Sequence, residues 1–292
     1  MLASTQTQRQ VQIVWDGSPS FFDIVNGVDA TLQDLGFQVN KVVDINTAPW
    51  NDEVIYIFIP LVRYAVSLTN SCPKRFVYYQ IEQPISGWFN ENYIKLACKA
   101  EQLWIFHATH VNLNKVYNKH PCSFYVPFAY HSGLEVTDVQ NSNIDKDIDV
   151  LFVGAINERR MAVLKALTSR GLYVVVHSSV SRDQHIEMLK RSKVYLNVHY
   201  YGEKSVMESA RIALAMMHGS CIVTEESMLE AENEVFSKFT VVCKLEEIVD
   251  KCCEYAEMVN KNAYSIPREL YRNEFALKPF VKKCVEREPF KS

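Results

Sequence analysis

Glycine is scarce, with nine in 292 residues, and none of them spells a G-x-G-x-x-G turn. That turn needs its second glycine so that backbone can close on a pyrophosphate, and its absence argues against a nicotinamide enzyme. No run of eighteen apolar residues occurs and the opening MLASTQTQRQ has no apolar core. Neither a membrane span nor a signal peptide is expected, and a soluble cytoplasmic protein is. Basic residues are scattered rather than striped and the formal charge is −3, so nucleic acid is not an expected partner. The eight cysteines show no C-x-x-C and no histidine-paired spacing. Buried reduced thiols are expected, with no metal site.

What is present is enough apolar residue, 48%, to fill two cores of roughly 140 residues each. Short β-rich runs alternate with helical stretches through both halves, the pattern of an α/β protein with parallel sheets. The spacing predicts strands over 10–15, 37–43, 53–59, 75–81, 102–107 and 122–126, then 148–153, 172–177, 193–198, 220–224 and 239–243. Helices are predicted at 21–35, 90–101 and 109–119, then at 158–170, 182–191, 205–218 and 245–262. Residues 129–147 lose periodicity and read as a linker, which sets an N-terminal domain at 1–128 and a C-terminal one at 148–266. The tail 267–292 reads as a final helix. Two such Rossmann-like domains are expected to turn their strand carboxyl ends toward a central cleft, where ligands of open α/β sheets bind.

The second half carries the densest chemistry. IDVLFVGAINERR ends a strand in Gly154, which lets backbone approach a ligand, and places Arg159 and Arg160 where either reaches a phosphate or simply faces water. Ser205 to Glu208 is S-x-x-E before an apolar helix, a capping box by pattern. The same helix start suits a diphosphate, with the Glu208 carboxylate available to ribose hydroxyls. His199 and Tyr200 follow the apolar strand KVYLNV, in a polar-aromatic cluster poorly explained by packing and well placed for a sugar or base.

In the first half QVQIVW ends in Asp16-Gly17-Ser18-Pro19, so Asp16 is either a turn residue or a general base for an acceptor hydroxyl. Glu82 in YYQIEQP is its rival, close in sequence to Trp88 and Phe89, which are suited to stacking on an acceptor sugar or to half-buried packing. Asp145-Lys146-Asp147 spells D-x-D but precedes a strand, and is read as solvated rather than metal-binding.

With DVLFVGAINERRMAVLKAL, YLNVHYYGEKSVMESARIAL and MMHGSCIVTEES in hand, the second half resembles the donor domain of GT-B glycosyltransferases. The texture is similar to the CgeB-like group and to small transferases of large algal viruses, including chlorella-virus β-xylosyltransferases of capsid glycans. The first half resembles that family in its βα pattern and in YYQIEQP. The resemblance implies metal-independent transfer from a nucleoside-diphosphate sugar to a glycan hydroxyl, with no cofactor. UDP is the favoured nucleotide and UDP-xylose the suspected donor. The C-terminal domain would hold the donor through Gly154, Arg159, His199, Tyr200, Ser205 and Glu208; Asp16 is the expected base, with Glu82 behind it. A C-terminal helix would cross back to the N-terminal domain, the chain would work as a monomer or weak dimer, and a viral source would put it in host cytoplasm. Leu214 stands where the family's second glutamate falls when Gly219 is matched to the family glycine, which favours inversion over retention. The alternatives are a two-lobed binding protein without chemistry and a nucleotide-sugar epimerase on the same plan.

Overall fold

The computed structural model describes residues 9–43, 50–61, 64–83, 85–107, 120–135 and 145–291. The chain divides into two units, one comprising 1–127, 131–133 and 277–292, the other 128–130 and 134–276. Each contains one parallel sheet, as the alternation of apolar runs and helical stretches leads one to expect.

The first sheet has the order β2-β1-β3-β4-β5-β6. Its strands are β1 (Gln10–Trp15), β2 (Gln38–Val42), β3 (Ile55–Ile59), β4 (Phe76–Gln80), β5 (Gln102–Ile105) and β6 (Ser123–Tyr125). The IYIFI of β3 and FVYYQ of β4 are buried at every position because helices cover both faces of the sheet, whereas the outer β2 is largely exposed. One face carries Val14, Phe58, Tyr78 and Leu103 into a core with Leu68 of α2 (Ala65–Asn70) and Tyr93 of α3 (Glu91–Ala97). α1 (Phe22–Asp34) lies against α10 (Leu277–Val285) in the same unit. Beyond α10, Phe290 stacks on Trp104 at 6.2 Å between ring centroids, and the buried Gln102 amide donates to the Cys284 carbonyl at 2.9 Å.

The second sheet has the order β11-β10-β9-β7-β8. Its strands are β7 (Ile148–Val153), β8 (Val174–His177), β9 (Ser192–Asn197), β10 (Cys221–Glu225) and β11 (Val241–Cys243). The helices are α4 (Glu158–Ser169), α5 (Arg182–Arg191), α6 (Ser209–His218), α7 (Glu230–Phe236), α8 (Ile248–Asn260) and α9 (Arg268–Glu274). Local chemistry sets several boundaries. Asn157 caps α4 through the Arg160 N–H, Ser181 and Gln184 form a reciprocal capping box on α5, and Gly219 ends α6 at φ +95°. In the Asp145-Lys146-Asp147 triplet both carboxylates are exposed, as expected, and the lysine between them is partly buried. Lys146 donates to the carbonyls of Lys190, Ser192 and Gly219 at 3.2, 2.7 and 2.6 Å, and Asp147 pairs with Arg191.

Four expectations need correction. The helix predicted over 205–218 begins only at Ser209, because Gly202–Lys204 forms a 3-10 turn. The residues after that turn are held extended: the Met207 N–H donates to Glu232 at 2.8 Å and the Met228 N–H to the Ser205 carbonyl at 3.0 Å. Ser205 is therefore no helix cap, and the S-x-x-E pattern forms no capping box. The single final helix is two, α9 and α10, interrupted at Phe275 and Ala276, where Ala276 bridges to Tyr130. The short α2 and α7 had no signal of their own, and neither carries a side-chain cap. All eight cysteines are unpaired, but only Cys221, Cys243, Cys252 and Cys284 are buried, and Cys98 is exposed. The helix predicted at 109–119 lies outside the described residues, as do 136–144 of the predicted linker.

Two histidines are expected to make the second unit acid-sensitive. His218 is 1% exposed and its Nε2 donates to the Leu134 carbonyl at 2.9 Å; burial pushes its pKa down to about 4. His185, packed on Tyr195, is likewise pushed down to about 4 by burial and by the nearby Arg211 charge. Both are neutral when folded and protonate near pH 6.5 when unfolded. Their stabilisation is complete above that pH and is lost as pH falls toward 4. His218 alone then withdraws about 3 kcal/mol. Urea midpoints should fall between pH 7 and 5, and His218→Gln should flatten that fall.

Candidate functional site

In the second sheet the chain runs from β7 outward to β8, then returns to place β9 on the other side of β7. The loops leaving β7 and β9 therefore diverge, and the crevice outside their carboxyl ends is the place where such sheets bind ligands. Gly154 stands directly after β7 with φ +154°. A Cβ on it would lie 1.8 Å from Nη2 of Arg211, so this position must lack a side chain for the guanidinium to rest against the loop.

Arg211 sits in the first turn of α6, where a cation opposes the helix dipole. It lies 3.4 Å from a Glu208 carboxylate oxygen and 3.4 Å from the Asn197 amide oxygen. Burial works against its charge, but Glu208 and Tyr195 together outweigh that and hold its pKa above the ordinary arginine value. Arg160 is 2% exposed and donates to the carbonyls of Val198 and Ala155, both at 2.8 Å. Its guanidinium is 3.5 Å from the other Glu208 oxygen and 5.3 Å from the ring centroids of Phe152 and Tyr200. Burial pulls its pKa down to about 10, with Glu208 opposing. Two arginines thus share one carboxylate beside a helix start with no side-chain cap. The local balance is positive, which suits an anion.

The other expected residues lie in the same loops, with altered roles. Arg159 grips Glu225 with both terminal nitrogens and also donates to the His199 carbonyl at 3.1 Å. Glu225 is 3% exposed and accepts the His199 N–H at 2.9 Å, so Arg159 is neutralised in a staple joining α4, β9 and β10. Glu208 is the counter-ion of Arg160 and Arg211, and its Oε2, 3.4 Å from Arg211, has no hydrogen-bond partner. The His199 ring is fully buried, and burial lowers its pKa against the opposing pull of Glu208 and Glu225. With Nε2 donating to the Glu226 carbonyl at 3.1 Å, Nδ1 is left as a buried acceptor without a partner. Ser205 and Ser209, 1% and 2% exposed, have hydroxyls that also lack a partner. Unmatched buried polar atoms of this kind are costly unless a ligand meets them. Tyr200 and Tyr201 stand half-exposed with ring centroids 5.0 Å apart.

In the first sheet the equivalent reversal falls between β1 and β3, which puts Asp16 at its edge. The Asp16 carboxylate accepts the Ser18 N–H at 2.9 Å, closing an Asx turn. Glu82 follows β4, and burial raises its pKa, with Ser86 opposing and the Asp16 charge adding to the rise. The Gln80 amide donates to the Glu82 carbonyl at 2.8 Å. Trp88 and Phe89 part company: Trp88 is 56% exposed, while Phe89 packs on Tyr93 at 5.6 Å.

The sequence reading passed over Arg211, Glu225, Glu232 and Gln80. A signal existed for Arg211, since arginine interrupts the apolar SARIALAMM in the turn where the dipole disfavours it. Among the described residues, no group of three or more His, Cys, Asp or Glu side chains has the arrangement of a metal site.

No family model matches the chain. Three uncharacterized proteins of Acanthamoeba polyphaga mimivirus are similar in sequence. One is 28% identical over 158 residues, or 52% of this chain and 18% of that protein. Another is 25% identical over 230 residues, or 75% of this chain and 71% of that protein. The third is 24% identical over 153 residues, or 50% of this chain and 20% of that protein, so the chain spans about a fifth of the length of two of these relatives. Among solved structures, an α1,3-fucosyltransferase with GDP aligns over 99% of this chain and 94% of its own at 14% identity, TM-score 0.52. A DNA-modifying β-glucosyltransferase studied with and without uridine diphosphoglucose aligns over 95% and 100% at 12% identity, TM-score 0.58. The avilamycin-pathway glycosyltransferase AviGT4 aligns over 95% and 96% at 11% identity, TM-score 0.57. The chain has the two-sheet α/β fold of GT-B glycosyltransferases.

Proposed function

We propose that the chain is a glycosyltransferase that takes a sugar from a nucleoside-diphosphate sugar, with UDP as the favoured nucleotide. The observation that carries this is the uncapped start of α6, where Arg160 and Arg211 are balanced by Glu208 alone and the Ser205 and Ser209 hydroxyls have no partner. A diphosphate there supplies the missing negative charge and meets the orphaned donors. His199 Nδ1 accepts a hydroxyl of the donor, and Tyr200 offers a flat face to its ring system. The fold shared with nucleotide-sugar transferases supports the same reading.

In the reaction the acceptor oxygen bonds to the anomeric carbon while the bond from that carbon to the diphosphate oxygen breaks. The nucleoside diphosphate leaves with the electron pair, and the acceptor proton passes to a carboxylate. Glu82 is the better base of the two candidates, since burial and Asp16 raise its proton affinity while Asp16 itself is committed to its turn. The leaving charge is met by Arg211, Arg160 and the helix start, a role that elsewhere a metal ion takes, so transfer is expected to persist in chelator. Direct displacement inverts the anomeric centre, and UDP-xylose is the donor that the viral resemblance favours.

The test is incubation with UDP-xylose, UDP-glucose and GDP-fucose in EDTA, with the products followed by NMR. Acceptor-dependent release of nucleotide and an inverted anomer are expected. An epimerised donor formed without acceptor would point to the epimerase instead.

A further inference from the structure

The second sheet has an edge that is neither charged nor covered. β8 is its outermost strand, and β2 and β6 are the edges of the first sheet. β2 carries Lys41, paired with Asp29, and β6 lies against α10, with Tyr125 and Phe280 at 5.6 Å between ring centroids. Charge and cover are the usual means of keeping an edge from pairing. β8 carries no lysine and its residues run from half-buried to exposed; no Asp, Glu, Lys or Arg stands between Gly171 and Ser181. Tyr173 is 58% exposed and Val176 38%. Between β8 and α4 runs an open groove of about 500 Å³ whose lining includes Met161, Leu164, Lys165, Thr168, Val174 and Val176.

The backbone restricts what pairs there. The Tyr173 carbonyl accepts the Val150 N–H at 3.2 Å and the His177 carbonyl the Gly154 N–H at 2.8 Å, so Tyr173, Val175 and His177 turn their main chain to β7. Val174 and Val176 turn theirs away. We propose that β8 is a self-association edge. A second copy of this chain adds its own β8 antiparallel about a two-fold axis through Val175, joining the two five-stranded sheets into one. Val174 of each copy then faces Val176 of the other, a register in which the outward residues exchange N–H···O bonds. A slip of one residue would set outward groups against inward ones and lose those bonds. The side chains agree with this register. Val174 and Val176 lie on the face of α4, so the two grooves merge across the axis over paired valines, and the stem of Lys165 is long enough to keep its ammonium in water. On the other face Tyr173 meets His177 of the second copy. Charge is complementary at the ends, where Arg170, just before β8, approaches Asp183 in the first turn of α5 of the second copy. A foreign strand has no call on such a two-fold match, and closure about the axis leaves no free β8 edge for further growth.

Sedimentation velocity of the full chain from about 1 to about 200 µM tests this, with a reversible monomer–dimer equilibrium of micromolar midpoint expected for so small a contact. Val176→Lys sets a charge into the ladder at an exposed position, and should leave the chain monomeric throughout that range with its urea midpoint unchanged. Val175→Cys gives a complementary readout. Position 175 faces itself across the axis in a non-hydrogen-bonded pair, where Cβ atoms come closest. The variant should therefore cross-link under diamide to an extent that wild type, with its exposed Cys98, does not reach. If Val176→Lys lowers the urea midpoint, the cross-link decides: its formation supports the proposal and its absence overturns it. A wild-type chain that stays monomeric over the whole range, a dimer that a stably folded Val176→Lys keeps, or open-ended growth in place of a dimer would each overturn it as well.

Discussion

Glu82→Gln should lower turnover by about 10²- to 10⁴-fold while leaving UDP affinity within about twofold of wild type. The amide keeps the side chain's size and its contact with Ser86 but cannot take a proton from an acceptor hydroxyl. Asp16→Asn should behave differently. The Asp16 charge helps raise the Glu82 pKa, and removing it lowers that pKa. A general base must be ionised, so activity falls as pH drops through its pKa, and the acid limb of kcat/KM should move to lower pH in Asp16→Asn. Turnover near the optimum should change much less than in Glu82→Gln. If instead Asp16→Asn abolishes turnover and Glu82→Gln leaves it intact, the two roles are exchanged. A pH profile of both variants with one donor reads this directly.

Arg211→Met should weaken UDP binding about 100-fold, about 2.7 kcal/mol, because it removes a partly buried cation and leaves Glu208 with only Arg160. Gly154→Ala provides an independent route to the same loss with the arginine still present. The new methyl would fall 1.8 Å from the guanidinium, which has to leave the loop. A structural role for Arg211 alone would lower stability without this selective loss, so calorimetric titration with UDP should be paired with a urea midpoint for each variant. Arg159→Met is the contrasting case. It uncouples Glu225 from the β9 loop, and its main effect should be on stability, since Glu225 is left as a buried unpaired charge.

The two-sheet plan was legible because parallel strands buried on both faces read as short unbroken apolar runs, as in IYIFI and in CIVTE of β10. Gly154 and His199 stand out in the sequence for a related reason: each follows such a run with a residue unlike the apolar strand before it. The start of α6 was misread because S-x-x-E is a local pattern, and a tertiary contact overrode it. The carboxylate of Glu232, 25 positions after Met207, takes the N–H that a helix beginning at Ser205 would have used. The choice between Arg159 and Arg160 was closed to sequence reasoning as well. They are adjacent on α4, and which one meets Glu225 and which meets Glu208 depends on where β9 and β10 end. Arg211 was passed over because a single arginine in an apolar helix ordinarily faces water; its neighbour Gly154 lies 57 positions earlier in the chain.

Calorimetric titration of the wild-type chain with UDP, in chelator, tests the central claim most directly. The account predicts saturable one-to-one binding, unchanged by added magnesium and lost in parallel by Arg211→Met and Gly154→Ala. Absence of binding by UDP, GDP and dTDP alike, or UDP binding that both variants keep, would contradict it.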